Sequence, residues 1–264
     1  TITVADGVVY FVESRNPDKK HSLSSRMEPA DLNNQYLVAL DQLNGRKLWE
    51  RPVDFSMCVN MLYLVHANGT LVATGSEDKK IKIKGKDTVK KFYRIYAYDV
   101  SSPALRFGTE KPEVPELWKN IQEPKNYIKH EEESEKPGTQ KTFRENIDRN
   151  SHHGGHLQHP LVVGEKFYTD NRVFELRTGT LMPEKTPMRR GCGNMAASNH
   201  SMFYRAHSHG FWDIEAEKQK YIKGIRSGCW LGLIPAQGLM LAPESSGGCS
   251  CSSGHISIQT SAAW

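Results

Sequence analysis

Four of the chain's eleven histidines, His152, His153, His156 and His159, fall within the short stretch SHHGGHLQHP. Imidazole is the commonest protein metal ligand. Gly154 and Gly155 give the backbone freedom to fold back and point several rings at one centre. The stretch is therefore a candidate site for a transition-metal ion. A second role fits the same residues: histidines in a glycine-rich loop hydrogen-bond backbone carbonyls and hold a turn, and no carboxylate adjoins these four. His207 and His209, further along, are expected at an equivalent edge, where they could join the set.

The five cysteines are Cys58, Cys192, Cys229, Cys249 and Cys251. Two disulfides among Cys192, Cys229, Cys249 and Cys251 would staple the C-terminal part, each contributing roughly 2–4 kcal/mol. They point to an oxidising compartment, periplasmic or extracellular. A thiolate metal site built on Cys249 and Cys251 with a histidine is the alternative. Cys58 is left over, either pairing outside this segment or buried and free. No nucleophile elbow Gly-x-Ser-x-Gly, phosphate loop, His-Glu-x-x-His or haem-attachment Cys-x-x-Cys-His occurs. The net charge of +5 comes from scattered residues, so nucleic acid is not an expected partner. No apolar run approaches the roughly 20 residues that span a membrane.

The elements that must position these residues are short strands. An apolar residue, a bend, then alternating apolar residues recur at Val4–Phe11, Val65–Thr74, Val162–Thr169, Ala197–Arg205 and Pro235–Pro243. Each reads as a hairpin with Gly or Asn at the bend. A second pattern follows the first four. In YLVALDQLNGRKLWE, Tyr36–Leu40 is a buried strand and Asp41–Gly45 a turn. The chain then returns as a strand carrying Trp49, eight positions after Asp41. Asp99, Glu175 and Asp213 match Asp41; Gly179 matches Gly45. Eight positions on from the acids stand Phe107, Pro183 and Tyr221. The unit is a hairpin followed by strand–turn–strand.

Four strands at this period are the mark of a β-propeller blade, with the repeated aromatic packing between blade faces. The expected fold is all-β, a β-propeller of four-stranded blades with about five blades visible across residues 1–264. A β-sandwich with similar hairpins is the alternative. Insertions are expected at 16–35, 77–91 and 109–151. Residues 77–91, alternating Ile and Lys, read as a solvated hairpin that extends an outer edge, with a patch for an anionic partner as the alternative. Residues 109–151 read as a surface excursion, partly disordered or partly helical around Glu116–Ile121, and anchored by Trp118.

ALDQLNGRKLW resembles the repeat of the PQQ-like β-propellers, the superfamily of quinoprotein alcohol dehydrogenases, and FELRTG is a second, partial match. SHHGGHLQHPLVVG, RGCGNMAASNHSMFYR and GIRSGCWLGLIPAQGLMLAPE are similar to repeats of secreted bacterial proteins of that type. The resemblance implies a ring of seven or eight blades, so that this chain is a fragment or a smaller ring. The quinone enzymes use adjacent cysteines, Ca²⁺ and an Asp base. This sequence has no Cys-Cys pair, and Cys249-Ser250-Cys251 is not equivalent to one. The expected function is thus a non-catalytic, secreted or periplasmic scaffold without a cofactor. It would bind a protein, glycan or small ligand at one propeller face. The alternative is an oxidoreductase using PQQ or a transition-metal ion at the channel mouth.

Overall fold

The turn residues decide where the chain reverses. Asp6-Gly7, Asn68-Gly69, Lys84-Gly85 and Gln237-Gly238 all have positive φ at both positions. This is the two-residue hairpin geometry that matches the natural twist of the flanking strands. At Gly69 a Cβ would lie 2.5 Å from that of Ser101, so only glycine fits. All five hairpins expected from the repeat form. The computed structural model describes residues 1–17, 29–59, 61–107, 113–121, 159–169, 172–187, 193–206, 208–222, 232–242 and 260–263.

Residues 1–140 with Leu176–Gly179 make one compact unit. Its first sheet is β1 (Ile2–Ala5), β2 (Val8–Ser14), β3 (Gln35–Asp41) and β4 (Lys47–Val53). Its second is β5 (Met61–Ala67), β6 (Thr70–Ile83), β7 (Lys86–Asp99) and β8 (Glu116–Ile121), with a four-residue helix, α1 (Ala104–Phe107), between β7 and β8. Alternation with period two gives each sheet a face for the other. Val8, Tyr10, Leu37, Ala39 and Trp49 of the first sheet pack with Leu64, Leu71, Ala73, Tyr96 and Tyr98 of the second. Tyr10 lies 5.9 Å from Trp49 and stacks on His66 at 5.4 Å.

Residues 141–175 and 180–264 make the second unit. It holds a sheet of β9 (Leu161–Val163), β10 (Lys166–Tyr168), β11 (Val173–Glu175) and β12 (Leu181–Met182). The next sheet is β13 (Ala196–Ala197), β14 (Ser201–Ala206), β15 (Ser208–Asp213) and β16 (Lys218–Ile222). A three-stranded sheet of β17 (Ile234–Ala236), β18 (Leu239–Ala242) and β19 (Thr260–Ala263) follows. Strand β14 serves two cores by alternation. Met202 and Tyr204 pack with Tyr168, Val173 and Trp212, while Phe203 packs with Leu233, Met240 and Ala242.

In every sheet, neighbours in sequence are neighbours in space and antiparallel. That is the order of a propeller blade and not of a Greek-key sandwich. The chain is all-β and built of propeller-type blades.

Four expectations need correction. Glu116–Ile121, expected to be part of a loop insertion and partly helical, is β8, the fourth strand of the second sheet. Phe107, expected to match Trp49, ends α1 instead. The residue opposite Ala97 is Trp118, just as Trp49 stands opposite Ala39, and each pair adjoins a bulge. The connection holding α1 pushes the aromatic outside a fixed eight-residue count. Tyr221 lies opposite Gly210 and is 53% exposed, so it does not fill an inter-blade core as Trp49 does. Residues 77–91 do form a hairpin, but they prolong the two central strands β6 and β7 rather than a sheet edge.

Candidate functional site

The recurring acids of the repeat sit at turns. Asp41 Oδ1 accepts hydrogen bonds from the N–H of Leu43 at 2.9 Å and of Asn44 at 3.3 Å. Asp99 accepts from Ser101 N–H at 2.9 Å, and Asp213 from Ala216 N–H at 2.9 Å. Glu175 uses its backbone N–H, which donates to Thr180 at 2.9 Å. Gly45 and Gly179 take φ +70 and +68. Gly179 abuts Trp118, whose indole N–H donates to the Leu176 carbonyl at 2.9 Å. Arg177 clamps Asp99 at 2.8 Å across the same turn.

His152, His153 and His156 lie outside the described residues, as do His207, Cys192, Cys229, Cys249 and Cys251. His159 directly precedes the β9 hairpin, and its Nδ1 is 2.9 Å from the Pro160 carbonyl. A ring nitrogen facing a carbonyl acts as the donor. Among the described residues no three His, Cys, Asp or Glu side chains converge as a metal centre. His209, expected at an accessible edge, is instead fully buried on β15, opposite Arg205 and Ile222. Burial, and then the Arg205 charge, push its imidazole down to about 4, so it is neutral. Cys58 is free and buried, and burial pushes its thiol up to about 12.

The first unit has a cleft of about 270 Å³ where β4, β7 and β8 come together. Arg51 of β4 and Asp54 and Met57 of the following connection form one wall; Glu116 and Lys119 of β8 form another, and Tyr96 and Tyr98 of β7 lie between. The register explains the grouping. Tyr96 pairs with Lys119 and Tyr98 with Glu116, so the two alternate residues of β7 share a face with the two charges of β8.

The Arg51 guanidinium stands 4.9 Å over the Tyr98 ring, and its Nη1 donates to the Val114 carbonyl. Such a cation over an aromatic face is favourable by roughly 0.5–2 kcal/mol. Both phenols are held well above the usual tyrosine range, mainly by burial, and stay protonated. Asp54 accepts from the Ser56 N–H at 3.0 Å; the Ser56 hydroxyl and that N–H hold its carboxyl below the usual range. Glu116 is 3.3 Å from Lys119.

Behind the cleft, Arg94 is fully buried. It pairs with Glu77 at 2.5 Å, donates to the Tyr93 carbonyl at 3.1 Å and meets Met57 Sδ at 3.3 Å. A desolvated guanidinium is tolerated only with such partners. It also fixes Met57 at the cleft wall. None of these cleft residues stood out in the sequence. The one available signal was the alternation of tyrosines in FYRIYAYD, which places Tyr96 and Tyr98 on one face.

No protein-family model matches the chain, and no curated protein matches it by sequence. Solved structures resemble it in arrangement. A computationally designed protein, Ika8, is 8% identical, with a TM-score of 0.48 over 91% of this chain and 54% of its own. BamB from Moraxella catarrhalis is 13% identical, with a TM-score of 0.40 over 80% of this chain and 49% of its own. The rhamnogalacturonan lyase YesW is 12% identical, with a TM-score of 0.39 over 80% of this chain and 36% of its own. The chain thus spans about half or less of the length of each.

Proposed function

We propose that this chain is part of a PQQ-like β-propeller that acts as a non-catalytic binding scaffold in the periplasm or outside the cell. Its contact site is the cleft between β4, β7 and β8, and its ligand is a protein segment bearing a carboxylate. The observation that carries this reading is Arg51, fixed over Tyr98 and against the Val114 carbonyl while lining the cleft. A guanidinium held in place recognises a carboxylate with little loss of side-chain freedom. The other groups suit recognition better than chemistry. The phenols are held protonated, Asp54 is tied to Ser56, and Glu116 is tied to Lys119.

The family assignment draws on ALDQLNGRKLW, which folds as the third and fourth strands of a blade with the Asp41 turn between them. It implies a ring of seven or eight blades. The assignment to an oxidising compartment implies that Cys192, Cys229, Cys249 and Cys251 are bridged, so that alkylation labels them only after reduction. The scaffold carries no resident quinone or metal. Elemental analysis beside a His153→Ala, His156→Ala variant tests that. About one equivalent of copper, zinc or iron, lost in the variant, would establish a metal centre at the histidine loop and overturn the cofactor-free reading.

The binding test is fluorescence polarisation with labelled acidic and neutral hexapeptides. Acidic peptides are expected to bind, and Arg51→Ala to weaken them about tenfold, as for one charge-assisted contact. Arg51→Lys should recover only part of the affinity. Equal binding of neutral peptides, or binding indifferent to Arg51→Ala, would refute the assignment of the cleft.

A further inference from the structure

Strands β6 and β7 run on beyond their sheet. Strand β5 stops pairing at Ser76 and β8 at Arg94, so among the described strands Glu77–Ile83 and Lys86–Phe92 pair with each other alone. The result is a two-stranded ribbon closed by the Lys84-Gly85 turn, with φ +51 and +77. An isolated ribbon is marginal in water. This one is held by Phe92 and Ile81, both buried, with Ile83 against them.

The balance of charge changes along the ribbon. The acids at its base are occupied: Glu77 pairs with buried Arg94 and with Lys79 at 3.0 Å, and Asp78 with Lys91 at 2.8 Å. Towards the tip, Lys80, Lys82, Lys84 and Lys86 are exposed, and the one acid among them is Asp87, opposite Lys82. Lysines on a strand edge discourage sheet pairing, but charges of either sign serve that purpose. The excess of four lysines over one acid towards the turn does more: it makes the tip cationic.

We propose that this tip binds an acidic polysaccharide, a linear glycan with a carboxylate or sulfate on its sugar units. Alternate residues on a strand stand roughly 7 Å apart, so Lys80 and Lys82 form a row that such a chain can follow. The tip segment Lys80–Asp87 carries no aromatic residue on which nucleic-acid bases could stack. Val89 is the exposed large apolar residue of the ribbon, too little for an interfacial membrane anchor. Recognition is therefore by charge along a hydrophilic polyanion. None of these lysines lines the cleft, so this inference and the peptide reading fail independently.

The test is binding of the full chain to sodium polygalacturonate, beside neutral dextran, a single-stranded oligonucleotide and phosphatidylglycerol vesicles. Polygalacturonate is expected to bind in preference to the others, with affinity falling as salt rises. The variant Lys80→Gln, Lys82→Gln, Lys86→Gln alters exposed side chains and should fold normally by circular dichroism. It should bind at least about tenfold more weakly and with a flatter salt dependence, while the Lys→Arg triple variant keeps its affinity. Absence of binding, binding unchanged in the Gln variant, or tighter binding to the oligonucleotide or vesicles would each overturn the proposal.

Discussion

Gly45 and Gly179 occupy the same place in the repeat and the same left-handed conformation, at φ +70 and +68. They differ in one respect. A Cβ at Gly45 meets nothing within 4 Å, whereas one at Gly179 lies 2.4 Å from Trp118 Cδ2 and 2.6 Å from its Cε3. Alanine at Gly45 should therefore cost only the left-handed backbone penalty, offset by reduced freedom of the unfolded chain, a net of about 1 kcal/mol. Alanine at Gly179 pays the same penalty and must also displace the indole. That adds overpacking of about 1–3 kcal/mol and, through loss of the Trp118–Leu176 hydrogen bond, about 1 kcal/mol more. The difference between the two variants should be about 2–4 kcal/mol. Urea unfolding followed by tryptophan fluorescence measures it, as a shift in midpoint at constant slope. Trp118 sits on β8, which also carries Glu116 and Lys119, so the same variant should weaken peptide binding at the cleft. In a Trp118→Ala background the cost of Gly179→Ala should fall to that of Gly45→Ala. Equal costs for the two glycines in the native background would refute the docking of this turn on Trp118.

Three further outcomes follow from the buried and paired groups. The Glu50 carboxyl is pulled from 4.5 to about 2, chiefly by its hydrogen bond from Arg15 and then by Lys47. Its contribution to stability is complete above about pH 4.5 and lost as pH falls towards 2. Glu50→Gln should flatten that limb of an acid-unfolding curve by about 0.5–1 kcal/mol, the site being partly exposed. His209 is depressed from 6.5 to about 4, so below pH 6.5 the unfolded chain takes up a proton that the folded chain refuses. Stability should fall with pH from 6.5 to 4, His209→Phe should lessen the fall, and NMR should show the ring neutral at pH 5. The Cys58 thiol should resist Ellman's reagent in the native state and react on addition of urea, since it is buried and stays protonated.

The sequence by itself determined the local structure. Asp-Gly and Asn-Gly pairs close hairpins because few other residues accept two positive φ values in succession. Asp41, Asp99 and Asp213 hold the next turn because a short carboxylate reaches its own following N–H groups. These facts act over a few residues, and together with the recurring apolar–bend–apolar pattern they located the five hairpins. The aromatic of the second blade was beyond such reasoning. Trp118 takes its place opposite Ala97 across the connection 100–115, where a fixed eight-residue spacing pointed to Phe107. His209 was placed near a rim by its neighbours in sequence, yet the register of β14 against β15 buries it. The cleft belongs wholly to the tertiary level. Arg51 reaches Tyr98 and Val114 only because two sheets pack face to face, and Glu116 joins them only once β8 pairs with β7. Turn chemistry is a property of neighbouring residues and survives in one dimension. A site assembled from three strands is set by register and packing, which no short stretch of the chain encodes.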